Sequence, residues 1–221
     1  MPSSSMRSKS GYDLHPSVLM VQQMIAGLKQ QTGRSMEEWI SLLQEEGPEN
    51  ERERRDWLKK MHGLGTNYAG WIAGQASGKG SDGSPDAYLL SAERYVDEMF
   101  AGPKAELLPI YEALLKLGRS MGSDVRVCPC QTMVPLFRNH VFAQIKPSTR
   151  NRIDLGLALK DTKVPRRLID TGGFEKKDRI THRIEIGSAK DIDGEVKRWL
   201  KKAYEMDAEA RRGKAPAKLS A

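Results

Sequence analysis

Arg152 and Asp154 stand two residues apart, as do Arg183 and Glu185, and in both stretches apolar residues fill the alternate positions. Side chains two apart on an extended chain leave it on the same side, so each Arg/acid pair shares a face with its own strand. If the two strands are neighbours, two arrangements are open. The four groups can close into a lattice of cross-strand salt bridges. Alternatively, Arg138, Lys146 and Arg150 at the strand ends extend them into a basic rim that follows a phosphate backbone. Phe142 is in phase with Gln144 and Lys146; exposed, it would be a stacking platform for a base, and buried, it would be core.

A second candidate lies early in the chain, where Met61-His62-Gly63-Leu64-Gly65-Thr66-Asn67-Tyr68 reads as a helix end, a turn and a new helix start. Glycines permit the required dihedrals and a close approach of backbone to ligand, and a helix N-terminus favours an anion. The stretch resembles the hairpin of helix-hairpin-helix DNA-binding modules. The resemblance implies that Leu64 plugs the core while the backbone N–H groups around Gly63 and Gly65 face a phosphate. A plain C-cap glycine followed by a tight turn is the other reading.

Two catalytic or metal readings are weaker. Asp154 followed by Glu175-Lys176-Lys177 matches the acidic, then Glu-x-Lys, order of metal-dependent nucleases, but Glu175 follows Gly172-Gly173 in a predicted loop. Cys128-Pro129-Cys130 with His140 or His182 would make a zinc site, yet the spacing matches no standard ligand pattern. No catalytic residue, metal or cofactor is assigned. The cysteines are expected as reduced thiols.

Charge favours an anionic partner. The 221 residues carry 36 Lys/Arg against 29 Asp/Glu, a formal +7. Residues 1–76 are balanced, so the excess lies in the second part, densest between residues 138 and 183. That is how a phosphate-binding footprint is distributed; a solvated surface is the plainer alternative. No apolar run approaches the roughly 20 residues that cross a bilayer, and the first residues lack the apolar stretch of a signal peptide. A cytoplasmic protein with DNA or RNA as partner is expected, its oligomeric state left open.

The elements that must position these groups follow from periodicity. Residues 1–13 are Ser-rich and basic and are expected to be disordered. A helical module of about four helices is predicted over 14–76: Pro16 opens the first and Gly33 stops it, Ser35 with Glu38 is a capping box, and Asn50 opens the third. The Ser/Gly-rich stretch 77–85 reads as a flexible linker. Over 86–208 an α+β module is predicted, with two helices, an antiparallel sheet and a closing helix, before a basic tail at 209–221. Its strands are predicted at 125–128, 132–138, 141–146, 150–160 and 179–186, with Pro147-Ser148-Thr149 as a turn and 164–168 as a further edge strand or turn. His182 shares a row with Ile180, Ile184 and Ile186 and is expected on the sheet's packed side. Ser188 with Asp191 opens the closing helix.

The phrases TGRSMEEWISLL and WLKKMHGLGTNYAGWIA resemble an N-terminal helical domain of bacterial proteins whose function is unknown. FAGPKAELLPIYEALL and FAQIKPSTRNRIDLGLAL, with Trp199, Ala203 and Tyr204, resemble a second bacterial domain of unknown function. The helix, sheet, helix order is also similar to YjbR-type double-wing domains. That likeness implies an α+β fold and, by analogy, nucleic-acid binding. The resulting expectation is a two-module, non-catalytic nucleic-acid-binding protein using Arg138, Lys146, Arg150, Arg152, Arg183, Gly63 and Gly65. A protein-interaction or small-anion-binding module is the alternative.

Overall fold

The computed structural model describes residues 11–78, 84–163 and 167–212. The chain divides into two compact units, residues 14–91 and residues 92–221 together with 1–13. The expected linker core at 79–83, the 164–166 part of the expected edge strand and the tail from 213 lie outside the described residues.

The first unit is built from short helices: α1 (Pro16–Thr32), α2 (Met36–Glu45), α3 (Glu51–His62) and α4 (Thr66–Ala76). The starts of α1, α2 and α3 are each set by a local side-chain hydrogen bond. Ser35 and Glu38 form the capping box of α2, and the Asn50 side chain accepts the Arg52 N–H at α3. Gly33, at φ 80°, stops α1 in a left-handed conformation that residues with a Cβ rarely adopt. Leu28, Trp39, Leu43, Leu58, Leu64 and Ile72 form the core. Short helices of this length are marginal alone, so the shared core holds them. On α1, Val18 and Leu28 are buried, whereas Leu19 and Ile25 are exposed.

A further helix, α5 (Pro85–Met99), begins with Ser84 accepting the Ala87 N–H. A 3-10 turn (Gly102–Leu107) then leads into α6 (Leu108–Arg119). Pro103 after Gly102 reads as a helix start but opens the 3-10 turn; Pro109, which lacks an N–H, fits the first turn of α6, which starts five residues later at Leu108.

The sheet has six antiparallel strands: β1 (Arg126–Val127), β2 (Val134–Phe137), β3 (Val141–Thr149), β4 (Arg152–Leu157), β5 (Ile169–Asp170) and β6 (His182–Ile186), in the order β1-β2-β3-β4-β6-β5. β3 runs through Pro147, which was expected to turn: Pro147 faces Ile153, and a bulge between Pro147 and Thr149 accommodates the residue without a ladder N–H. The chain reverses at Arg150 and Asn151 instead.

Period-two alternation divides the sheet into two sides. Ile145, Leu155 and Ile184 align across three strands, as do Pro147, Ile153 and Ile186. The aliphatic residues of these rows join Leu107, Tyr111 and Leu114 and, from the closing helix, Val196, Leu200 and Ala203 in one buried cluster. His182 is buried in this sheet, its Nδ1 2.8 Å from Thr181 Oγ1. On the other side the row is Lys146, Asp154 and Glu185. The closing helix α7 (Gly194–Arg212) packs on β3 and β4. Ser188 and Asp191 form a capping box, but around a 3-10 turn (Ala189–Asp191). The cap of α7 is Asp193, which accepts the Glu195 and Val196 N–H groups.

Tyr12 and Asp13 belong to the second unit. Asp13 exchanges hydrogen bonds with Val127 through its N–H (2.8 Å) and its carboxylate (2.9 Å), and the Tyr12 and Tyr111 hydroxyls lie 3.1 Å apart.

Candidate nucleic-acid interface

The charged side of the sheet is a closed lattice. Asp154 lies 3.0 Å from Arg152 and 3.0 Å from Arg183, while Glu185 lies 2.9 Å and 2.8 Å from the same two guanidiniums. Ser148 Oγ donates to Asp154 at 2.7 Å. The Asp154 side chain keeps only 16% of its exposure, so the pairs are partly desolvated. Arg152 Nε and Asp154 Oδ1 are both buried and out of line for a hydrogen bond despite their 3.0 Å separation, leaving charge attraction between them. Gly156 opposes Gln144 on one strand and Arg183 on the other. A Cβ at Gly156 would come within 2.8 Å of Gln144 and of Ile180, so those two side chains lie across the strand there.

Arg138 is committed elsewhere. Its Nε donates to Asp124 at 2.7 Å, Nη1 donates to the Tyr204 carbonyl at 3.2 Å, and the guanidinium lies 4.0 Å from the Tyr204 ring centre. Burial alone would raise the Asp124 carboxyl, but the Tyr204 hydroxyl and Arg138 hold it below its usual range. Phe142 is fully buried, edge-on to Tyr204, so it is core and not a stacking platform.

Lys146 and Arg150 are placed differently. Both are exposed, and with Lys104 they line a cleft of about 630 Å³ that also holds Gln131, Thr132 and Ser148. Three elements supply the cations: the 3-10 turn before α6, strand β3 and the β3–β4 reversal. Among the described residues none of the three is in an ion pair, whereas Glu98, the acidic residue of the lining, lies 3.7 Å from Arg94. Lys104 Nζ donates to the Pro147 carbonyl at 2.7 Å, which fixes its ammonium at the cleft wall. Lys104 was not singled out from sequence, where it reads as one more solvated lysine beside a proline.

The hairpin of the first unit has the expected anatomy. Leu64 is 8% exposed and sits in the core, while Gly63 and Gly65 are exposed and a Cβ at either would meet nothing. Gly63 takes φ 65° to end α3. Gly65 starts α4 without a side-chain cap, so among the described residues the N–H groups of that first turn lack a capping side chain. Lys59 and Lys60 are exposed on the last turn of α3.

The weaker candidates are not assembled. Glu175 lies on the exposed loop after Gly173, away from the strand lattice that holds Asp154. Burial pushes the Cys128 thiol up to about 12, which leaves it unreactive. His140 Nδ1 is 3.1 Å from Asp207. Among the described residues no three His, Cys, Asp or Glu side chains converge on a metal position, and no helix is long and apolar enough to cross a membrane.

Residues 20–77 are similar to a domain of unknown function (DUF4287). No curated protein and no solved structure matches the chain. Residues 96–207, about half the chain and including the whole sheet and every residue of the cleft, match a domain of unknown function (DUF5655); the chain belongs to that family.

Proposed function

We propose that this is a cytoplasmic, non-catalytic protein that binds the phosphate backbone of nucleic acid. The observation that carries the reading is a set of three cations, Lys104, Lys146 and Arg150, around one cleft, none of them in an ion pair among the described residues. Free cations release condensed counterions when they meet a polyanion, which is where most non-specific nucleic-acid affinity originates. Arg152 and Arg183 are engaged by Asp154 and Glu185 and stand outside this set. The Gly63-Leu64-Gly65 turn, with its uncapped helix start, offers a second place for a phosphate in the other unit.

A small phosphorylated ligand is the second reading. It is favoured by the cleft's volume, which falls within the range of small-molecule sites. Fluorescence anisotropy separates the two. Labelled single-stranded oligonucleotides of increasing length should bind more tightly as they lengthen. The log-log salt slope should lie near −2, from three phosphate contacts at about 0.7 each. Binding that ignores length would move the conclusion to the small ligand, and absence of binding at low salt would remove the nucleic-acid reading.

A further inference from the structure

A second cavity, of about 570 Å³, lies at the other end of the second unit's sheet region, beside the loop after β5. Its apolar lining is Ala158, Phe174 and Met206, and its cations are Lys160, Lys177 and Arg179. Of these, the sequence brought up Lys177 alone, as the lysine of the Glu-x-Lys order.

Three observations indicate that the cavity is organised for a ligand. First, Lys160 at φ 53° and Lys177 at φ 59° are the two non-glycine residues of the described chain in the left-handed region, and both line this cavity. Side chains held in that strained conformation cluster where a site must be positioned. Second, Phe174 is half exposed, yet its loop is tight. The Asp178 N–H closes on the Gly173 carbonyl at 2.8 Å, and a Cβ at Gly173 would come within 2.4 Å of the Ile180 carbonyl. The ring is therefore presented to solvent from a fixed support.

Third, Arg179 is pre-oriented. Its Nε donates to the Val141 carbonyl at 2.9 Å and Nη2 donates to Asp207. Asp207, almost fully buried, also accepts the Asn139 and His140 N–H groups at 2.8 and 3.0 Å. The guanidinium is thus held from behind, and its remaining N–H donors are left for a partner.

The chemistry of the lining selects the ligand. Met206 sulfur and the Phe174 ring suit an aromatic body. Lys160 and Lys177, in no ion pair among the described residues, suit an anionic head. Glu175 and Asp178, also in the lining, balance that charge and disfavour a ligand with several negative groups. We propose that this cavity binds a small aromatic monocarboxylate, its ring against Phe174 and Met206 and its carboxylate among Arg179, Lys160 and Lys177.

Isothermal titration calorimetry of the full chain tests this with 2-naphthoate, 2-naphthol and acetate. The expected result is one-to-one binding of 2-naphthoate, at least tenfold weaker binding of 2-naphthol and none of acetate. Phe174→Ser and Lys177→Gly should each weaken 2-naphthoate at least fivefold. Lys177→Gly should not lower Tm, because glycine is at ease at that φ. Lys146→Glu with Arg150→Glu, in the other cleft, should leave 2-naphthoate binding unchanged. Failure of 2-naphthoate to bind, equal binding of 2-naphthol, unaltered affinity in both cavity variants, or loss of binding in the distant double variant would each overturn the proposal.

Discussion

Asp154 accepts the Ser148 hydroxyl and is ion-paired with both Arg152 and Arg183, so one donor and two cations converge on a carboxylate with little exposure. Truncating both arginines would leave it partly buried next to Glu185 without either guanidinium partner. Arg152→Ala with Arg183→Ala is therefore expected to destabilise the chain by about 1–3 kcal/mol, the cost of unpartnered buried polar groups, read as a lower urea midpoint. The same variant should keep its affinity for single-stranded oligonucleotide. Alternation in the sequence put these four residues on one side of the sheet, which the register confirms. It could not say whether the charges would neutralise one another, since that depends on the pairing of β4 with β6 across a long connection. Lys104 was illegible for a related reason: its partner is a carbonyl 43 residues away, and only the folded chain brings Pro147 to it.

Most helices and strands were legible because their signals are local. Ser35 with Glu38, Gly33 and the alternating Ile153, Leu155 and Leu157 each act within a few residues. The differences arose where two local signals compete. Pro147 reads as turn chemistry, but its side chain fills a core row between β4 and the bulge, and burial decided the outcome. Ser188 with Asp191 is a real capping box that closes a 3-10 turn, and Asp193 then caps α7. Asp191 carries a pH signature. The Ser188 and Gly187 N–H groups hold its carboxyl below the usual range. Its contribution is therefore complete above the unfolded value of about 3.9 and is lost as pH falls through the lower folded value. Asp191→Ala should cost about 1 kcal/mol at pH 7, as replacing a capping side chain by alanine does. Its difference from the parent chain should shrink below about pH 4, in denaturation curves taken at both pH values.

At the scale of the whole molecule, the +7 charge matters through where it is left unpaired. The densest basic stretch includes Arg138, Arg152 and Arg183, all of them engaged with carboxylates. Among the cations outside the lattice, Lys104, Lys146 and Arg150 gather at one cleft in the second unit, and Lys59 and Lys60 stand beside the hairpin in the first. The most direct test is anisotropy with a labelled single-stranded oligonucleotide at low salt, comparing Lys146→Glu with Arg150→Glu against Arg152→Ala with Arg183→Ala. The expected result is at least a tenfold loss of affinity and a shallower salt slope for the first pair, with near-parental binding for the second. Parental affinity in the charge-reversed pair, or the loss appearing only in the alanine pair, would contradict binding at the cleft.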